Sequence, residues 1–263
     1  MNKPVYNIER NGEFFVMKKE HLITTAALIL LWQLAAMWVH NDILIPSPMQ
    51  TLSWLWTNLQ SVKFYTAIGA SVFRIMSGWL LSLLAALVLS IVCYLVRGFA
   101  DYFEPLQILT RTIPNISYII IALIWLGSEG AVRLVCFLIL FPIFMNGFLN
   151  ALKRESRDTR DVEAVYPETV WFRITRRILP ELGAEIAATG KTAASMGFKV
   201  GVMAEILGSV PNGIGRAISY CRLDLNTAGI LGWTIVLIVL AALTDTLFGK
   251  INHLVKEEQG WKD

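Results

Sequence analysis

"AATGKTAASMGFKVGVMAEILG", residues 187–208, admits two incompatible readings, and the fold turns on which holds. Gly190-Lys191-Thr192 reads like the end of a phosphate-binding loop, which would make the chain a nucleotide-binding domain. Such a loop requires another glycine five residues before the Gly-Lys pair, so that backbone amides can point at phosphate. Glu185 occupies that position and sets a carboxylate where the phosphate charge would have to sit. The preceding residues, with Ala184, Ala187 and Ala188, are helical in character and do not read as a buried strand. Both requirements fail, so ATP does not bind through this segment. The remaining reading is a membrane helix.

On a helix of 3.6 residues per turn, Gly190, Ala194, Gly197 and Gly201 share one side. Small residues in such a stripe let helices approach closely in lipid. Lys191, Ser195, Lys199 and Glu205 adjoin it within roughly 120° of arc. Three ionisable groups in one span are costly unless they face protein, water or each other. A helix with a packing face and a neighbouring hydrated face, set beside a polar pathway, satisfies both demands. The plainer alternative is that Lys191 and Lys199 snorkel or pair structurally, with Lys199 and Glu205 as a structural pair or a gate.

Composition supports the membrane reading. Hydrophobic residues make up 55% of the 263 residues and charged residues only 16%, with a mean hydropathy of +0.55. Soluble domains carry about 25% charge to solvate their surface. The net charge of +3 is too weak to suggest a nucleic-acid partner. Cys93, Cys136 and Cys221 lack metal or redox spacing and read as apolar packing residues. His21, His40 and His253 lie at the ends of apolar segments and form no cluster. Ser195 has no histidine or carboxylate within one turn, which argues against an intramembrane hydrolase.

Six segments reach or approach the ~20 residues a spanning helix needs: 22–39, 65–96, 105–126, 132–152, 181–207 and 227–248. Lysine and arginine concentrate in the N-terminal tail, the C-terminal tail and the 153–180 segment, where Lys153, Arg154, Arg157, Arg160, Arg173, Arg176 and Arg177 fall. The 40–63 connection holds only Lys63 and 127–131 holds none. The positive-inside bias therefore puts both termini and the 153–180 loop in the cytoplasm, with Arg216 and Arg222 a minor exception. The expected organisation is a tail at 1–21, a transmembrane domain at 22–251 and a tail at 252–263. Ile45-Pro46-Ser47-Pro48 forms a rigid turn, and 49–59, with Trp54 and Trp56, reads as a short helix in the outer interface.

The loop "RDTRDVEAVYPETVWFRITRRILPEL" is charged yet amphipathic. Val162, Val165 and Tyr166 share one face, and Trp171, Ile174 and Ile178 continue an apolar side. A helical hairpin at 158–178 with an exposed apolar ridge fits this pattern and suits a partner surface. This segment resembles the EAA loop of permease subunits of bacterial ABC importers, in outline Glu-Ala-Ala, a glycine, then Leu-Pro. Leu179-Pro180 takes the closing position. A gap-free register puts Asp161 on the glutamate and Pro167 on the glycine, whereas a shifted one puts Glu163-Ala164 on Glu-Ala.

The resemblance covers about residues 30–248: "LIPSP", "SVFRIMSGW", "RTIPNISYIIIALIWLG", "FPIFMNG", "MAEILG" and "PNGIGRAI" follow one another in the family's order. The subgroup is the nitrate/sulfonate/taurine-type permeases. The resemblance implies an all-α type I importer transmembrane domain of six helices, working as a permease dimer. Two cytoplasmic ATPases, which bind the ATP and magnesium, and an extracytoplasmic binding protein would complete the transporter, this chain holding no cofactor. Asp161, Glu163, Ala164, Val165, Tyr166, Pro167, Trp171, Leu179 and Pro180 would then couple to the ATPase. Lys191, Ser195, Lys199 and Glu205 would line or frame the pathway, with Gly190, Ala194, Gly197 and Gly201 packing the helix. The lysines favour an anionic solute. A secondary transporter or channel working without ATP is the rival reading, which the Leu179-Pro180 hairpin leaves unexplained.

Overall fold

The structure, a computed structural model, describes residues 19–96, 99, 102, 105, 112–153 and 169–258. Among them the regular structure is helical: α1 Lys19–Val39, α2 Pro48–Asn58, α3 Val62–Leu95, α4 Asn115–Lys153, α5 Val170–Arg173, α6 Leu179–Gly208, α7 Ile214–Leu223 and α8 Thr227–Glu258. Three of these contain stretches long and apolar enough to cross a membrane, Val62–Leu95, Asn115–Leu152 and Thr227–Lys250. Ile23–Val39 is a shorter apolar helix. In α6 the run is interrupted by Lys191, Lys199 and Glu205.

The segments expected as two separate spans at 105–126 and 132–152 are two helical parts that meet within α4 at a single non-helical residue. Helix α4 runs from Asn115 to Lys153 and is broken at one residue, Gly127, with φ 64° and ψ −174°. That combination is open essentially to glycine alone, because a Cβ would collide with the backbone. One residue therefore changes the chain's direction and a loop is unnecessary. Within the second part, Pro142 sits inside the helix, and Asn146 Nδ2 donates to the Pro142 carbonyl at 2.7 Å.

Helix α2 starts as its sequence dictates. Ser47 accepts from the Gln50 amide at 3.3 Å, and Gln50 Oε1 accepts from the Ser47 amide at 2.7 Å. This reciprocal capping box, with Pro48 in the first turn, satisfies amides that would otherwise be orphaned. Trp56 is exposed, but Trp54 turns inward, edge-on to Trp233 of α8 at 6.0 Å. Phe64 stacks on the same indole at 4.7 Å. Only one of the two tryptophans is therefore free to sit at an outer interface.

The core lies among α3, α4 and α6, where Ile75, Ile119, Leu140, Phe144, Phe148 and Leu182 are fully buried. Close approach of α3 and α4 depends on Gly78: a Cβ there would lie 2.6 Å from Cys136 Cβ and 2.7 Å from the Arg133 carbonyl oxygen. Helix α8 covers α6, while α1 stands apart with Leu28, Leu31 and Trp38 exposed. Its tie to the rest includes Trp32 Nε1 donating to the Pro46 carbonyl at 2.9 Å.

Candidate functional site

Helix α6 is entered through a widened turn. Residues Ile174–Ile178 are π-helical, and the Leu179 amide donates five residues back to Ile174. Pro180 has no amide, and its ring would crowd the carbonyl four residues earlier in a regular helix. Widening the turn relieves that crowding. Before it, Val170, Trp171 and Phe172 are exposed, Trp171 by 75%. Ile174 is half-buried and Ile178 belongs to the core. The apolar side expected through Trp171, Ile174 and Ile178 thus divides into an exposed part and a buried part. Leu179 and Pro180 are exposed. The expected coupling residues Asp161, Glu163, Ala164, Val165, Tyr166 and Pro167 lie outside the described residues.

Along α6 the small residues meet their neighbours at short range. A Cβ on Gly190 would lie 3.0 Å from Phe248 and 3.3 Å from Trp79. One on Gly197 would lie 3.3 Å from Leu140 and 3.4 Å from Ile75. One on Gly201 would overlap the Ile75 side chain and lie 3.2 Å from Cys136 Sγ. Ala194 is fully buried. The stripe seats α6 on α3 and α4 at its centre and, at Gly190, against Phe248 of α8.

Beside the stripe is an open groove of about 360 Å³ lined by Lys191, Thr192, Ser195, Met196, Lys199 and Asp245. Lys191 Nζ lies 3.7 Å from Asp245 Oδ2, the two side chains being 53% and 36% exposed. Ser195 Oγ donates to Asp245 Oδ1 at 3.2 Å. The carboxylate from α8 thus faces two successive turns of α6. Lys199 is exposed. Three expected pathway residues therefore line one water-accessible groove.

Glu205 does not line it. It is fully buried, about 9 Å along the helix from Lys199, and tied to α3 and to the turn after α6. Ser71 Oγ lies 2.8 and 2.7 Å from its two oxygens, Arg74 Nε donates to Oε1 at 3.3 Å, and the Gly215 amide donates to Oε2 at 2.9 Å. Arg74 also donates to the Asn212 carbonyl and stands 3.6 Å from Glu129. The Ile214 amide donates to Ser71 Oγ at 2.8 Å. Gly213 takes φ 150°, and a Cβ there would lie 2.8 Å from Glu205 Oε2 and 2.9 Å from Arg74 Nη2. Glu205 is thus a structural anchor paired with Arg74, neither a groove residue nor a partner of Lys199. Helix geometry placed it near the lysines in angle, but burial is decided by what packs on each turn.

Asp245 was missed from the sequence. A lone carboxylate in an otherwise apolar last span was the available signal, because such a charge requires a partner or water. Among the described residues no group of three or more His, Cys, Asp or Glu side chains could hold a metal ion.

Comparison with known proteins agrees with this architecture. No protein-family model matches the chain. It is 23% identical over 229 residues to the "Putative aliphatic sulfonates transport permease protein SsuC" of Bacillus subtilis (strain 168), covering 86% of this chain and 82% of that one. It is 25% identical over 239 residues to the taurine transport system permease protein TauC of Escherichia coli (strain K12), covering 85% and 84%. The formylaminopyrimidine transport permease protein ThiX of Halalkalibacterium halodurans is 26% identical over 137 residues, 51% of this chain and 54% of that one. In fold, a chain of a bacterial alginate ABC transporter, solved in complex with an alginate pentasaccharide-bound periplasmic protein, superimposes with a TM-score of 0.59 at 17% identity, covering 89% and 94%. The relatives are permeases, and the fold is that of a chain of an ABC transporter.

Proposed function

We propose that this membrane protein, similar over about 85% of its length to permeases of the sulfonate and taurine type, is the transmembrane subunit of an ATP-driven importer. Two copies form the pathway, with six spans each and both termini in the cytoplasm of a bacterium bounded by this inner membrane. The solute is small and anionic, of the sulfonate, nitrate or taurine kind, and an extracytoplasmic binding protein delivers it. ATP and magnesium bind separate ATPase chains, so this chain is not itself catalytic. The observation that carries the pathway assignment is the groove on α6, where Lys191, Ser195 and Lys199 meet Asp245 beside a tightly packed stripe. A polar groove on a helix otherwise packed in apolar surroundings suits a solute route better than a lipid contact.

The mechanism on this reading is a two-state switch. ATP closes the ATPase dimer, the exposed Val170-Trp171-Phe172 segment and the residues before it transmit the movement, and the spans turn outward. Hydrolysis restores the inward-facing state. Each ligand shifts the balance only through its different affinity for the two states. The π-helical turn at Ile174–Ile178 lies between the exposed segment and α6, so force applied at Trp171 reaches the groove-bearing helix through one continuous element. Co-purification tests the reading. The chain should bring down an ATPase subunit, and ATPase activity should collapse when Trp171 and Tyr166 are both changed to alanine. Uptake by the purified chain alone, without ATP, would refute it.

A further inference from the structure

Among the described residues Asp245 is the one acidic side chain lining the groove, and it enters from a different helix than the two lysines. Its oxygens are shared: Oδ2 faces Lys191 at 3.7 Å and Oδ1 accepts from Ser195 at 3.2 Å. Lys191 is therefore matched in charge. Lys199, two turns further along α6, has no carboxylate against it among the described residues. The groove thus holds two positive charges and one negative charge. Its uncompensated charge is a single positive one, and it resides at Lys199.

We propose that the groove is a subsite for a small anionic head group carrying one negative charge, and that Asp245 determines this specificity by neutralising Lys191. The inference rests on the permease reading and names the chemistry its groove selects. A tetrahedral dianion entering the groove meets one free lysine and must also face the Asp245 carboxylate. A monoanion of the same shape is balanced by Lys199 alone. Ser195 holds one oxygen of Asp245 and keeps the carboxylate turned toward Lys191. Without Asp245, Lys191 is released and a second negative charge is welcome. One added unit charge about 6 Å away, in a half-wet site, corresponds to roughly a tenfold change in the preference for a dianion over a monoanion.

Methanesulfonate and sulfate make a matched probe pair, since they share a tetrahedral sulfur head and differ in charge. In the assembled transporter in lipid nanodiscs, acylation of Lys199 by an amine-reactive reagent is followed by peptide mass spectrometry as each anion is titrated. Methanesulfonate should protect Lys199 at lower concentration than sulfate does. In Asp245→Asn the ratio of half-protecting concentrations should move about tenfold toward sulfate, and in Asp245→Glu it should stay with the unmutated protein. Lys191→Met, which leaves the Asp245 charge unmatched and brings the groove's net charge to zero, should weaken protection by both anions. Using the ratio within each variant removes any change in the intrinsic reactivity of Lys199.

An unchanged ratio in Asp245→Asn, with both anions still protecting, would overturn the role of Asp245. Failure of both anions to protect Lys199 in the unmutated complex would overturn the subsite. Either result leaves ATPase co-purification intact, so it is distinguishable from failure of the permease reading, in which no ATPase accompanies the chain.

Discussion

Replacing Arg74 with methionine tests whether the cluster around Glu205 is the anchor the geometry describes. The guanidinium is 3% exposed and the carboxylate 0%, with Nε and Oε1 3.3 Å apart. At that separation an effective dielectric constant of 20 gives an attraction of about 5 kcal/mol, much of which offsets the cost of desolvating both groups. Removing one partner alone discards the attraction and keeps the cost. Glu205 would retain the Ser71 hydroxyl and the Gly215 amide but no cation. A loss of about 3–5 kcal/mol follows for Arg74→Met. Changing both residues, Arg74→Met with Glu205→Leu, removes charge and partner together and should cost markedly less than Arg74→Met alone. The assay is SDS or thermal denaturation of the purified protein in one detergent, run as a double-mutant cycle. A loss below about 1 kcal/mol for Arg74→Met, or a double variant as unstable as the sum of the singles, would refute a buried, mutually dependent pair.

Two further outcomes follow from the same structure. Gly201→Ala puts a methyl group into the Ile75 side chain and 3.2 Å from Cys136 Sγ, so a destabilisation of about 1–3 kcal/mol is expected in the same denaturation assay. Lys199→Met removes the groove's uncompensated charge from an exposed position; uptake of a sulfonate by the reconstituted transporter should fall severalfold while ATPase assembly, read by co-purification, stays unchanged.

Rejection of the phosphate loop needed no coordinates, because Glu185 and the alanines around it are incompatible with that loop in any fold. The angular placement of Gly190, Ala194, Gly197 and Gly201 was likewise legible, since 3.6 residues per turn fixes which residues share a side once the segment is helical. Less could be read at 127–131. The apolar runs on either side read as two spans, but nothing in them showed that the φ open to Gly127 lets a single residue break the helix between the two. Trp54 and Trp56 show the same limit on a smaller scale. Both are indoles two positions apart, and only the arrival of Trp233, itself stacked on Phe64, turned one of them inward to a half-buried position.

Local periodicity and composition thus determined that the chain is apolar and helical, where its small-residue stripe runs and where its charges interrupt it. These properties belong to one segment at a time. Which charge is buried and which faces water was decided by tertiary structure alone. Glu205 met Arg74 across 131 positions of sequence, and Lys191 and Ser195 met Asp245, 50 positions from Ser195. Both contacts arise because α3 and α8 pack on different turns of α6. An ionisable side chain in an apolar segment announces that it needs a partner, and only the packing of another helix supplies one.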